Sequence, residues 1–169
     1  VESTMTLTIH GNPEVFAGQA PSVCHGSSVE LNDATAVNYS SLLWTSTGDG
    51  AFDDATVLHP VYTPGASDLA NGSAVLTLTA NGIAGCEPSS TTATLTINPL
   101  PTITISGDQT VCEGQPATLV FTLTGSAPWI VEMLDTEPIT MTQSPWEMVV
   151  TPYSSTTFVL TGVTDANNC

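Results

Sequence analysis

Apolar and polar residues alternate in short runs along much of this chain. Examples are Thr-Met-Thr-Leu-Thr-Ile at 4–9, Ala-Val-Leu-Thr-Leu-Thr-Ala at 74–80, Thr-Ala-Thr-Leu-Thr-Ile at 92–97, and the runs at 102–106 and 117–124. Others lie at 129–134, 146–150 and 156–163. Successive side chains of a strand point to opposite faces, so each run places its apolar residues on one side. The runs are rich in β-branched and aromatic residues and are bounded by Gly, Pro, Asn or Asp, as in the strands of an all-β sandwich. No stretch with a 3.6-residue apolar period is long enough to predict a helix. The expected fold is all-β.

An internal repeat organises these strands. Val23-Cys24-His25-Gly26 returns as Val111-Cys112-Glu113-Gly114, and Thr6-Leu7-Thr8-Ile9 returns as Thr94-Leu95-Thr96-Ile97, both at an offset of 88 positions. Leu-Thr-Ala-Asn-Gly-Ile-Ala-Gly-Cys, ending at Cys86, is echoed by Leu-Thr-Gly-Val-Thr-Asp-Ala-Asn-Asn-Cys, ending at Cys169. Each unit reads as a Cys-x-Gly step, a strand, a strand carrying Trp44 or Trp129, later strands, and a turn with a second Cys. The run at 92–97 closes the first unit before Asn98-Pro99-Leu100-Pro101, yet its counterpart opens the chain. Residues 1–10 are therefore expected to be the last strand of a preceding repeat, 11–98 one Ig-like sandwich, and 99–169 a second sandwich truncated before its last strand. The chain reads as one period cut from a longer array. The start at Val1, without a charged and then apolar leader, suggests a processed protein or an internal segment. A sandwich lacking its last strand exposes an unpaired edge. The expected remedy is strand complementation, from the next repeat or from another copy. The proline-rich junction is expected to be stiff.

Composition narrows the function classes. The 169 residues include 16 acidic side chains and no Lys or Arg, a formal charge of −16. No cation is present to displace the counterions of nucleic acid or to meet an anionic membrane surface, so neither is expected as a partner. No run approaches the ~18 apolar residues of a membrane span. Four cysteines in such a chain imply an oxidising, extracellular setting. Two pairings are open. Cys24–Cys86 with Cys112–Cys169 is preferred because each unit carries its own pair, each loop of about 60 residues contributing roughly 4 kcal/mol. If the strand ends instead put the two cysteines of a unit far apart, Cys24 meets Cys169 and leaves Cys86 and Cys112 for neighbouring repeats.

Signs of chemistry are few. His10, His25 and His59 lack metal-ligand spacing, and no Gly-x-Ser-x-Gly elbow occurs. The acidic residues sit in turn contexts, where Asp caps local backbone. No catalysis and no cofactor are expected. Calcium is the one candidate ion, with Asp49, Asp53 and Asp54 supplying hard oxygens, although the Asp-x-Asp-x-Asp-Gly pattern is absent. Trp44 and Trp129 are expected in the core. Trp146, after a proline, is the candidate for contact with surface glycans.

With these motifs in view, residues 44–86 resemble the Ig-like, PKD-like repeats of very large Bacteroidetes cell-surface proteins. Residues 107–169 resemble a sister repeat of the same proteins, gliding adhesins among them. The carrying motifs are Val-Cys-x-Gly, Ala127-Pro128-Trp129, and Thr164-Asp165-Ala166-Asn167-Asn168-Cys169. The chain departs from the PKD hallmark Trp-Asp-Phe-Gly-Asp-Gly, having Trp44-Thr45-Ser46-Thr47-Gly48-Asp49-Gly50 instead. The resemblance implies a segment of an extracellular, cell-surface adhesin or filament exported by the type IX route. The expected function is a structural repeat joined head to tail to neighbouring repeats or copies. The alternative is a carbohydrate-binding module of a secreted polysaccharide-degrading enzyme.

Overall fold

The structure, a computed structural model, describes residues 2–19 and 21–169. The chain forms two compact units that divide between Asn98 and Pro99.

In the first unit the alternating runs become strands, and two sheets close over one apolar core. One face holds β1 (Glu14–Phe16) paired with β4 (Thr35–Val37), and β3 (Val29–Glu30), β7 (Val61–Thr63) and β6 (Ala51–Phe52) in the order β3-β7-β6. The other runs β2-β9-β8-β5, from β2 (Ser22–Cys24), β9 (Ser89–Asn98), β8 (Ser73–Gly82) and β5 (Tyr39–Ser46). Here β3 and β4 are successive pieces of the second strand. The pairings are then A–B–E–D on one sheet and C–F–G on the other, the arrangement of an Ig-like sandwich. The first strand crosses over so that β2 runs parallel to β9, with Val23 opposite Ile97.

Among the described residues the second unit has six strands, and its fourth joins the sheet opposite to the one that β6 joins in the first unit. β10 (Ile103–Ser106), β11 (Ala117–Leu123) and β14 (Trp146–Val150) form one sheet, in that order. β13 (Ile139–Met141), β12 (Trp129–Met133) and β15 (Leu160–Thr164) form the other, ordered β13-β12-β15. β15 pairs with β12. Among the described residues no strand lies on its other edge.

The all-β expectation holds, and Trp44 and Trp129 are both buried, with indole N–H groups donating to the carbonyls of Leu58 and Thr124. One expectation changes. A short helix, α1 (Ala66–Asn71), follows β7, where no helix is predicted. The run at 4–9 forms no strand in the single chain, because a strand needs a hydrogen-bonded partner and none lies beside it.

Candidate functional site

The asymmetry between the two sandwiches is centred on β9. This strand pairs with β8 from Ser73↔Thr96 to Ala80↔Ser89, and with β2 on its other edge. Its alternate residues Ala93, Leu95 and Ile97 point inward and are 6, 0 and 4% exposed. The residues 88 positions earlier, Met5, Leu7 and Ile9, are 89, 75 and 85% exposed. Sequence that is core in one place is bare in another.

The recipient side shows the same contrast. Val23, held against β9, is 8% exposed, whereas its counterpart Val111 is 38% exposed and belongs to no strand. Beside Val111 lies a groove of about 520 Å³ between the Gly107–Glu113 segment and the Pro152–Phe158 segment, floored by Ile105, Leu119 and Val150. Among the described residues the buried apolar cluster of this unit has seven members, against fourteen in the first. Ile103, Ile105, Met148, Val150, Phe158, Leu160 and Val163 are only partly buried around it. One wall of the groove carries Val111, the counterpart of Val23, which in the first unit borders β9.

The acidic side chains are committed to backbone. Buried Asp68 accepts hydrogen bonds from Tyr62 Oη (2.6 Å), Gly50 N (3.1 Å) and Gly65 N (3.1 Å). Burial, then the bond to Asp68, pushes the Tyr62 phenol above its ordinary range. Gly48 packs so closely on Asp68 that a Cβ there would overlap the carboxylate. Asp49 accepts from Ser67 N and Asp68 N at the start of α1; these amides, Ser67 first, hold it below the ordinary carboxylate range against a smaller desolvation effect. Asp53 accepts from Asp54 N (2.7 Å) and Val61 N (2.8 Å), and Asp54 from the Thr56 hydroxyl (2.6 Å) and amide (2.9 Å). The Thr56 hydroxyl, then its amide, lowers the Asp54 pKa.

The calcium candidates Asp49, Asp53 and Asp54 therefore serve separate backbone targets. Among the described residues no three His, Cys, Asp or Glu side chains come together as a metal site. In the second unit, buried Asp165 organises the Thr-Asp-Ala-Asn-Asn-Cys loop. It accepts from Ser126 N (3.0 Å), Asn167 N (2.9 Å) and Cys169 N (3.2 Å). Burial raises its pKa, but those amides together outweigh it and leave the group below its ordinary range.

Trp146 is not a free platform. It lies opposite Phe121 on β11 and packs against the second core, because Trp146, Met148 and Val150 share the inward face of β14. The histidines remain apart: His10 and His25 are exposed, and His59 Nε2 lies 3.0 Å from the Ala34 carbonyl.

The cysteines correct the preferred pairing. Cys86 and Cys112 are free, while Cys24 and Cys169 are disulfide-bonded. The physical reason lies in each sandwich. Cys24 sits opposite Asn98 at one end of β9, and Cys86 lies beyond Ser89 at the other, a strand length of roughly 30 Å. Cys112 precedes β11, whereas the loop of Cys169 bonds to Ser126, past the end of β11, roughly 20 Å away. Neither separation permits a disulfide, which needs Cα atoms within ~7 Å. Strand ends, invisible to cysteine counting, decide this.

No family model matches the chain, and no curated protein matches it. Among solved structures it is similar to one titled "Anomalous substructure of Titin-A168169", at a TM-score of 0.39 and 13% identity, covering 83% of each chain. No helix among the described residues is long and apolar enough to cross a membrane.

Proposed function

We propose that this chain is a structural repeat segment of an extracellular surface filament or adhesin stalk, joined head to tail by strand complementation. One observation carries the reading: among the described residues the second sandwich has no strand on the free edge of β15 and an open groove beside Val111, and the chain itself holds an unpaired copy of the strand that fills the equivalent place in the first. The disulfide supports an oxidising, extracellular location. The Bacteroidetes resemblance supports a cell-surface setting. Carboxylates bound to backbone amides in both units suit a load-bearing scaffold, since each fixes a turn. No reaction, cofactor or ion enters this proposal.

Sedimentation velocity with negative-stain electron microscopy tests it. The chain should form unbranched assemblies that lengthen with concentration, and Leu7→Asp should leave monomers. Assemblies indifferent to Leu7→Asp, or none at millimolar concentration, contradict the reading. Binding of the monomer to glycans on an array would favour the carbohydrate-binding alternative.

A further inference from the structure

We infer that the groove of the second unit receives residues 4–9 of a second copy in the register that β9 holds in the first unit, and that the joint is closed by a disulfide between Cys112 of one copy and Cys86 of the next. This rests on the strand-complementation reading and adds to it a register and a covalent lock.

The register follows from the first unit, which is its own template. Ser22, Val23 and Cys24 lie opposite Thr96, Ile97 and Asn98 in parallel pairing. The offset of 88 places Thr110, Val111 and Cys112 opposite Thr8, Ile9 and His10 of the incoming strand. Its other edge runs antiparallel to β15, as β9 does to β8. Leu7 and Ile9 then take the places of Leu95 and Ile97. Met5 replaces Ala93, and its flexible thioether suits the irregular groove.

The lock follows from where that strand leads. The incoming chain leaves the groove beside Val111 and enters its own first unit within a few residues. Asn38 Nδ2 donates to the Asn12 carbonyl (3.2 Å), Glu14 pairs with Val37, and Tyr39 pairs with Gly82. Chain entry and the Gly82–Cys86 turn therefore share one end of that sandwich, and Cys86 arrives at the Cys112 end of the recipient.

The cysteines fall into two classes. Cys24 and Cys112 close a Val-Cys step, and Cys86 and Cys169 follow the sixth strand of their units. One member of each class, Cys24 and Cys169, is bonded; the other two are the free thiols, with Cys112 exposed. Closure needs an oxidant, for which a low-molecular-weight disulfide serves. One thiolate attacks the donor's S–S bond and releases one half as a thiolate, and the second attacks the protein sulfur of the resulting mixed disulfide and releases the other half. The donor leaves as two thiols, its electrons coming from Cys86 and Cys112.

The test is non-reducing electrophoresis of the full chain after incubation with oxidised glutathione. A ladder at multiples of the chain mass is expected, collapsing to one band on reduction. Neither Cys86→Ser nor Cys112→Ser should give a ladder alone, and their mixture should stop at a dimer whose linked peptides carry Cys112 and Cys86. His10→Cys in the Cys86→Ser background should restore cross-linking to Cys112, reporting the register independently of the lock. Assemblies that form without a ladder overturn the lock and leave complementation standing. Failure of the His10→Cys bond in such assemblies overturns the register. A monomeric chain that gives no cross-link of either kind overturns both, together with the reading beneath them.

Discussion

The two sandwiches share most of a plan: the fourth strand pairs with the fifth in the first unit and with the third in the second. Among the described residues the second has no seventh strand, a lack visible far from that edge. Where β9 is present, Leu95 and Ile97 complete a core that includes Trp44, Tyr62 and Leu76, and β2 gains a partner. Where it is absent, the segment equivalent to β2 forms no strand, and the inner faces of β10, β14 and β15 stay half exposed. A seventh strand thus does two things at once. It supplies a row of apolar side chains, and it satisfies the backbone of two neighbouring edges. A sandwich can keep its first six strands without it, but with an unsealed core.

The largest effect should come from removing that row. Leu95→Ala leaves a cavity in a closed core and should destabilise the first unit by about 2–5 kcal/mol. Leu7→Ala should leave the monomer's stability within about 0.5 kcal/mol, because Leu7 is bare there. Urea denaturation below the assembly concentration compares them directly. The same experiment on the unaltered chain should show two transitions, the second unit unfolding first. A peptide copying residues 2–10 should stabilise that transition alone, by about 2.7 kcal/mol at a hundredfold excess over its Kd.

Next in size are the two buried carboxylates. Asp68→Ala should destabilise the first unit and Asp165→Ala the second, each by about 1–3 kcal/mol, since amides and the Tyr62 hydroxyl lose a buried acceptor. Thermal unfolding followed unit by unit checks the assignment.

A smaller effect should appear with pH. Asp49, Asp54 and Asp165 have folded-state pKa values below the ordinary 3.8. Their contribution is complete above about pH 4 and is lost as pH falls through the depressed values. Tyr62 is shifted the other way, above 10.0, so its contribution holds below pH 10 and fades as pH rises beyond. Midpoints from a pH series should therefore fall at both extremes, the alkaline loss being confined to the first unit and abolished in Tyr62→Phe.

The long alternating runs made the fold class legible, because eight to ten residues of period two fit only a half-buried strand. The repeat made the seventh-strand equivalence legible, since Thr-Leu-Thr-Ile recurs in phase with Val-Cys-x-Gly. Short strands such as β3 and β6, two residues each, carry too little pattern to read. The helix α1 was hidden for another reason: its first turn is held by Asp49, 18 positions upstream of Ser67. The acidic loop offers calcium candidates in Asp49, Asp53 and Asp54 only because sequence shows adjacency and not the backbone amides each carboxylate faces. The proline before Trp146 argues for exposure, but the period-two spacing to Met148 and Val150 puts all three on the inward face. Cysteine pairing needed the strand ends, which local sequence places only to within a few residues.

The central claim, that residues 4–9 complete the second sandwich of another copy, is tested most directly by hydrogen exchange at rising protein concentration. The amides of Thr6–Ile9, of Val111 and of β15 should gain protection together, with the same midpoint, while those of β8 and β9 do not change. Residues 4–9 exchanging at the unprotected rate at every concentration, in a sample that has nevertheless assembled, would contradict it.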